Sequence, residues 1–206
     1  HGRVLQPTLD RAMTLLIAAL VLSAPPDFIK HETAPQLVQL LADGYSVLEQ
    51  RPVDVDGDGK TERLVLVGGA RGPVGIMVCK RGWRLIAAVR LASNPAWDFT
   101  LATEHPDLTG DGRPELAIHE AVSAPNLTLR ATTWWHLADG VLHRAHYLSR
   151  DVTSRVGRET RTLDVLPNGR LTERINAGGG GPGTSVDLAW SEASKRFAPV
   201  RIRVVP

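Results

Sequence analysis

The chain has 206 residues, of which 43% are hydrophobic and 22% are charged, with a formal net charge of +2. This length suits one domain, or one domain with an N-terminal appendage, and the apolar content is sufficient for a hydrophobic core. The small net charge argues against a strong affinity for nucleic acids or other polyanions. A single cysteine, Cys79, excludes an internal disulfide, and its apolar surroundings in the sequence favour a buried thiol.

The N-terminal residues contain a short apolar run, residues 14–24, which follows Arg11. The run is too short to span a bilayer and has the length of the hydrophobic part of a signal peptide. A helix of the mature protein, capped at Thr8 or Asp10, fits the same residues. Residues 13–24 are therefore expected either to direct export or associate with a membrane, or to form a structural helix.

Apolar residues recur at helical spacing within residues 33–50, and Gly44 is typical of a helix end. We therefore expect an amphipathic helix here that covers one face or edge of the first sheet. On this basis residues 1–50 form an N-terminal segment, and residues 51–206 form the main domain.

An acidic loop follows, with the sequence Asp54-Val-Asp-Gly-Asp-Gly-Lys-Thr-Glu62. Its carboxylates recur at alternate positions and its glycines permit a tight turn, which is how a loop can surround Ca²⁺ with oxygen ligands. The expected ligands are the side chains of Asp54, Asp56, Asp58 and Glu62, with the backbone carbonyl of Lys60.

A second loop has the same pattern, Asp107-Leu-Thr-Gly-Asp-Gly-Arg-Pro-Glu115. Because Thr109 is a neutral ligand where the first loop has an aspartate, we expect the second site to bind calcium more weakly. The expected ligands are the side chains of Asp107, Thr109, Asp111 and Glu115, with the backbone carbonyl of Arg113.

The residues that follow the loops exclude an EF-hand. An EF-hand has a bidentate glutamate at its twelfth position and a helix on each side, whereas these positions are Val65 and Ile118, each in a strand-like apolar run. A calcium loop that leads directly into a strand resembles the FG-GAP, or VCBS, repeats of integrin-α-like β-propellers. This resemblance implies two calcium sites in an extracytoplasmic β-protein with a structural or binding role, as in adhesion or envelope assembly.

The loop pattern recurs along the chain, because Asp54, Asp107 and Asp164 lie 53 and 57 residues apart. The third copy, residues 164–172, is degenerate, since Leu166 stands in place of an acidic residue. We therefore do not expect the third copy to bind metal.

Each loop is followed by apolar runs that alternate with hairpin-type turns. This pattern predicts three antiparallel units, at residues 51–103, 104–160 and 161–206. A further strand is expected before the second and third loops, at residues 97–103 and 160–165. The predicted fold class is all-β with one or two N-terminal helices, with the three units forming an incomplete β-propeller-like arc or a β-sandwich.

The histidines suggest a different metal site. If Asp139-Gly140 is a two-residue hairpin turn, His136 lies opposite His143, and His119 could supply a third ligand. On this pairing His146 falls on the opposite face from His143. Such a cluster could bind copper or zinc, so a secreted metalloenzyme of the superoxide-dismutase-like redox class is an alternative function. An exposed cross-strand pair without metal explains the same residues.

The sequence has no nucleophile elbow, P-loop, His-Glu-x-x-His or Cys-x-x-Cys motif, which favours a non-enzymatic role without excluding activity. A carbohydrate- or anion-binding module is a third hypothesis. It uses five arginines in residues 144–161 and an exposed tryptophan, since Trp134 and Trp135 must face opposite ways. We expect a protein partner in the cell envelope or outside the cell, and no nucleic acid. A loop that binds calcium weakly is occupied at the high calcium concentration outside cells but not at the low concentration in the cytosol. This favours an extracytoplasmic location.

Overall fold

The computed structural model of the protein describes residues 46–69, 72–80, 84–91, 97–155, 157–166, 169–178 and 182–205. Within these ranges the chain is all-β and has no helix, which confirms the predicted class, and no helix there could cross a membrane. The predicted N-terminal helices, of which the second was expected to end near Gly44, fall outside the described residues. Residues 46–50, which the sequence placed in the N-terminal segment, belong to the β-domain, because Val47 and Gln50 pair with Val67 and Val65 in a sheet.

The described residues form twelve strands, and every neighbouring pair of strands is antiparallel. The strands predicted at residues 97–103 and 160–165 are present, as Trp97–Leu101 and Gly157–Leu166. The strands are β1 (Ser46–Val53), β2 (Glu62–Gly69), β3 (Gly72–Lys80), β4 (Arg84–Arg90), β5 (Trp97–Leu101), β6 (Leu116–Ala124), β7 (Leu127–Ala138), β8 (Val141–Ser154), β9 (Gly157–Leu166), β10 (Arg170–Ala177), β11 (Gly183–Ser191) and β12 (Arg196–Val205).

Within the described ranges these strands make two sheets, each with its strands in chain order. Strands β1 to β4 form a four-stranded sheet, and β5 to β12 form an eight-stranded sheet. A separate sheet for each of the three predicted units is not observed. The end of β8 pairs with the start of β9, from Asp151 opposite Thr160 to Ser154 opposite Gly157, and this short hairpin joins the last two units.

The first core lies between the two sheets. Leu64 and Ile76 of the four-stranded sheet share it with Leu116 and Ile118 of the eight-stranded sheet, and all four side chains are fully buried. Each such aliphatic side chain stabilises the fold by about 1.5–3 kcal/mol relative to exposure. This packing places the loop before β2 and the loop before β6 at the margins of one shared core.

The second core shows that the eight-stranded sheet folds back on itself. Trp134 of β7 packs in the same cluster as Leu171, Leu188 and Phe197 of β10 to β12. The first core therefore covers one face of β7 and the second core covers the other. Both Trp134 and Trp135 are buried as a result, so the expectation that one of them is exposed is wrong.

The packing between the sheets predicts a large effect of Leu116→Ala. The side chain of Leu116 is 0% exposed, so its truncation should leave a cavity and lower the free energy of unfolding by about 2–5 kcal/mol. Leu48→Ala is the matched control, because Leu48 is 48% exposed and should change stability by about 0.5 kcal/mol or less. Chemical denaturation measures both, and equal losses would contradict the described core.

Candidate metal centres

Both acidic loops connect neighbouring antiparallel strands. The first loop runs from the end of β1 to Glu62, the first residue of β2, and the second lies between β5 and Leu116, where β6 begins. The base of the second loop is closed by a hydrogen bond from the backbone N–H of Glu115 to the carbonyl of Pro106, at 2.9 Å. The strands therefore fix both ends of each loop.

In the first loop the carboxylates of Asp54, Asp56 and Asp58 converge, with one oxygen atom from each lying within 4.8 Å of the others. The loop is shaped by its own aspartates. Asp54 accepts a hydrogen bond from the N–H of Gly59 at 2.9 Å, and Asp58 accepts one from the N–H of Lys60 at 2.8 Å. Three converging carboxylates supply oxygen ligands of the kind that Ca²⁺ prefers.

The second loop gathers Asp107, Asp111 and Glu115 within the same 4.8 Å limit. Its internal hydrogen bonds match those of the first loop. Asp107 accepts a hydrogen bond from the N–H of Gly112 at 2.8 Å, and Asp111 accepts one from the N–H of Arg113 at 2.9 Å. The hydroxyl of Thr109 lies 3.5 Å from a carboxylate oxygen of Asp107.

The glycines explain why the two backbones are alike. Gly57 and Gly110 have φ values of 71° and 80°, and Gly59 and Gly112 have φ values of 81° and 85°. All four lie in the left-handed region, which is strained for residues with a side chain. The shared spacing of aspartate and glycine thus produces the same turn at both places.

The glutamates that end the loops are buried and bind the backbone. Glu62 is 2% exposed and accepts a hydrogen bond from the N–H of Val55 at 3.0 Å. Glu115 is 0% exposed and accepts one from the N–H of Leu108. Burial raises the pKa of Glu62, and the Val55 hydrogen bond partly offsets this. Glu115 belongs to the carboxylate cluster of its loop, whereas Glu62 does not join the three aspartates.

A lysine that the sequence reasoning missed lies against the first loop. The ammonium of Lys80, at the end of β3, is 2.9 Å from Asp56 and 4.0 Å from Asp58. Its hydrogen bond lowers the pKa of Asp56 and in turn raises the pKa of Lys80. Among the described residues no such ion pair involves Asp107 or Asp111. A metal ion in the first loop must therefore compete with Lys80. This competition lowers the affinity of the first loop, although the sequence predicts that the second loop binds calcium more weakly.

The loops contact one another, which the sequence did not predict. A Cβ atom added to Gly57 would lie 3.5 Å from the side chain of Arg113 and 3.6 Å from the carbonyl of Gly112. One added to Gly169, in the third loop, would overlap the carbonyl oxygen of Thr109. The loops at residues 54–62 and 107–115 and the described residues of the third loop, 164–166 and 169–172, therefore adjoin in sequence order, and we call them the loop row.

The third loop differs in chemistry from the other two. The carboxylate of Asp164 forms an ion pair with Arg174 at 2.8 Å. The hydroxyl of Thr172 donates a hydrogen bond to Asp187 at 3.1 Å. Residue 168, the second polar position that this copy retains, lies outside the described residues. Asp164 and Thr172 are thus both engaged by side chains of β10 and β11.

The histidine hairpin forms as predicted, with His136 directly opposite His143. However, His136 is buried and its Nδ1 atom lies 3.0 Å from the carboxylate of Glu115. Its ring also packs edge-on against Trp190 of β11, at a centroid distance of 4.9 Å. The predicted calcium loop and the predicted histidine site thus meet at the Glu115 side chain.

His119, the third histidine of the predicted site, does not lie beside His136 and His143. His119 lies opposite Thr132 and contacts its hydroxyl at 3.0 Å. Thr132 is four residues from His136 along β7, which corresponds to about 13 Å in a strand. Within the described ranges, each group of three or more potential metal-ligating side chains lies in an acidic loop, and neither group includes a histidine. A copper or zinc site stays a prediction.

His146 is placed differently from the prediction. An irregularity in the pairing of β7 with β8 puts His146 opposite Trp134, although Arg144 lies opposite Trp135. The extra residue, Ala145, reverses the alternation, so His146 shares a face with His143 and the opposite-face prediction is wrong.

The surroundings of His146 disfavour its protonation. Its ring stacks on Trp134 and packs against Phe197, at centroid distances of 5.9 and 6.2 Å. The carboxylate of Glu173 is 3.7 Å away but is already paired with Arg161 at 2.9 Å. Burial, together with the charge of Arg161, lowers the pKa of His146 to about 4.

The two carboxylate clusters offer oxygen ligands, which suit Ca²⁺ better than copper or zinc. Comparisons of the chain with protein-family models, curated proteins and solved structures find no match. The function therefore has to be inferred from the chemistry and geometry of the loops.

The contact between the second and third loops predicts that Gly169→Ala is disruptive. Gly169 has a φ of +64°, and its new Cβ would displace the carbonyl of Thr109, so stability should fall by about 1–3 kcal/mol. Hydrogen exchange should accelerate at residues 107–115. Gly157→Ala is the control, because its φ of +146° is strained but its Cβ would meet nothing within 4 Å. Unchanged exchange at the second loop in Gly169→Ala would refute the contact.

The lowered pKa of His146 predicts acid sensitivity. A folded pKa of about 4, below the ordinary value of 6.5, gives a stabilising contribution that is complete above pH 6.5 and is lost toward pH 4. The loss from this one group is about 3 kcal/mol. Urea denaturation across this range should show a shallower pH dependence in His146→Phe than in the wild type. His143→Phe, at a less buried ring, should change the pH dependence of the free energy of unfolding less. An identical pH dependence in all three proteins would exclude a role for His146 in acid sensitivity.

Proposed function

We propose that the chain is a calcium-binding β-repeat protein of the FG-GAP kind, with a structural and partner-binding role in the cell envelope or outside the cell. The observation that carries this proposal is the pair of loops that each gather three carboxylates within 4.8 Å on matching backbone hydrogen bonds. Calcium would fix the loop row, and the row would present a surface to a protein partner.

The charge of the loops supports a role for a bound cation. Three carboxylates held close together repel one another unless protons or cations compensate them. Within the described residues, the first loop has partial compensation from Lys80 and Lys60, whereas no ion pair compensates Asp107 or Asp111. Calcium would therefore stabilise the second loop, where no lysine or arginine of the described ranges forms an ion pair with these two aspartates.

The finer architecture that we propose is a stack of three units, β1–β4, β5–β8 and β9–β12, like successive blades of an incomplete propeller. The two largest cores lie between consecutive units, as expected for blades that pack face to face. In each unit the loop between the first and second strands belongs to the loop row. The extracytoplasmic location is supported by the chemistry of open acidic loops, which suit the high calcium concentration outside cells.

The competing functions have less support in the geometry. The register brings His136 and His143 together, but one nitrogen of His136 is already engaged by Glu115. A carbohydrate platform would need an exposed tryptophan, whereas Trp134 and Trp135 are both buried. Two of the five arginines proposed for anion binding, Arg158 and Arg161, are paired with carboxylates.

The test is thermal melting in calcium and in EGTA. Binding to the folded state alone should stabilise it by about 2.7 kcal/mol when free calcium is a hundred times the dissociation constant. The double variant Asp54→Ala and Asp107→Ala should lose this shift, because it removes one carboxylate from each cluster. Asp98→Ala, at an exposed strand position outside both clusters, should keep it. A wild-type melting curve indifferent to calcium would overturn the proposal.

The position of Lys80 predicts that Lys80→Met strengthens calcium binding at the first loop. Its ammonium lies 2.9 Å from Asp56, so removal of the competing charge should raise affinity by about tenfold. Lys60→Met is the control, because Lys60 is 84% exposed and 3.5 Å from Asp58, and its effect should be small. Calcium titration calorimetry compares the two, and weaker binding in Lys80→Met would show that the lysine supports the site.

A further inference from the structure

A groove of about 1040 Å³ lies beside the first loop, at the end of the four-stranded sheet. Positively charged side chains dominate its lining. The described cations are Arg51, Lys60, Arg63, Lys80 and Arg84. This volume is larger than a single small anion needs and lies at the upper end of the range for small-ligand sites.

Arg51 is paired with Glu49 at 2.7 Å, and the two acidic residues of the lining, Asp58 and Glu62, offset only part of the charge of the other four cations. Glu62 is buried and directs its carboxylate to the N–H of Val55. Asp58 is shared between its own loop backbone and the ammonium groups of Lys60 and Lys80. Arg84 is exposed, and within the described ranges no carboxylate pairs with it. An arginine in this state can form paired hydrogen bonds with an incoming carboxylate.

Lys80 connects the groove to the loop, because it lines the groove and also contacts Asp56. Calcium bound by Asp56 and Asp58 would place a doubly positive ion close to this ammonium. Repulsion between the two cations would drive Lys80 away from the loop, and the groove is the adjoining space. Calcium in the first loop would thus make the groove more positive.

We propose that this groove binds an acidic peptide segment of a protein partner, and that calcium in the first loop strengthens the binding by releasing Lys80. The proposal rests on the proposed calcium function and adds the chemistry of the partner. Because linkage is reciprocal, the bound peptide must strengthen calcium binding by the same factor.

The experiment uses the full chain and a fluorescein-labelled hexaglutamate peptide, followed by fluorescence anisotropy in calcium and in EGTA. We expect binding to be about tenfold tighter in calcium, within the usual range of coupling between two sites. Arg84→Gln should weaken the peptide complex by about tenfold. Arg170→Gln, the same change at an exposed position of β10 outside the groove, should leave the complex unchanged. A hexaglutamine peptide should not bind.

Lys80→Met separates this proposal from the calcium proposal, because it should raise calcium affinity while lowering peptide affinity and its dependence on calcium. Calorimetry of calcium alone is run in parallel. Calcium binding without peptide binding would overturn the proposal for the groove and leave the calcium proposal intact. The absence of calcium binding would overturn both proposals. Equal peptide affinity in EGTA would refute the coupling. Inorganic phosphate that binds as tightly as the peptide would assign the groove to small oxyanions instead.

Discussion

The structure depends on the buried carboxylate of Glu115. This group is shielded from water, accepts a hydrogen bond from the N–H of Leu108 and lies 3.0 Å from His136. His136 in turn contacts Trp190 of β11. A buried carboxylate is tolerated only when neighbouring groups satisfy it, and the loss of one partner leaves the others uncompensated. The contacts of His136 with Glu115 and with Trp190 therefore hold the second loop, β7 and β11 together inside an apolar core.

Local patterns in the sequence were sufficient to predict the strands that follow the first loop and the turns within the two acidic loops, but not β1. The Asp139-Gly140 turn places His136 opposite His143 as expected, because a two-residue hairpin fixes its own register. Residues 46–50, which the sequence placed in the N-terminal segment beyond a helix ending near Gly44, form part of β1, because they pair with β2. Likewise, a single extra residue, Ala145, moves His146 to the other face, and alternation alone does not reveal such an irregularity.

Contacts between distant segments could not be predicted from these patterns. Lys80 reaches Asp56 only because β3 lies beside β2, and Glu115 meets His136 only because β6 pairs with β7. The joining of β8 to β9, which gives two sheets instead of three, depends on how far β8 extends. These contacts alter the chemistry of the predicted sites. Lys80 gives the first loop a cation that competes with a metal ion. The contact between Glu115 and His136 links the second loop to the core.

The central claim is that calcium occupies both acidic loops, and its stoichiometry is the most direct test. Native mass spectrometry of protein equilibrated with calcium should show two ions per chain, one for each carboxylate cluster. Substitution of Asp107 alone should reduce the count to one. A chain that retains no calcium, or that holds copper or zinc in place of it, would contradict the account and direct attention to His136 and His143.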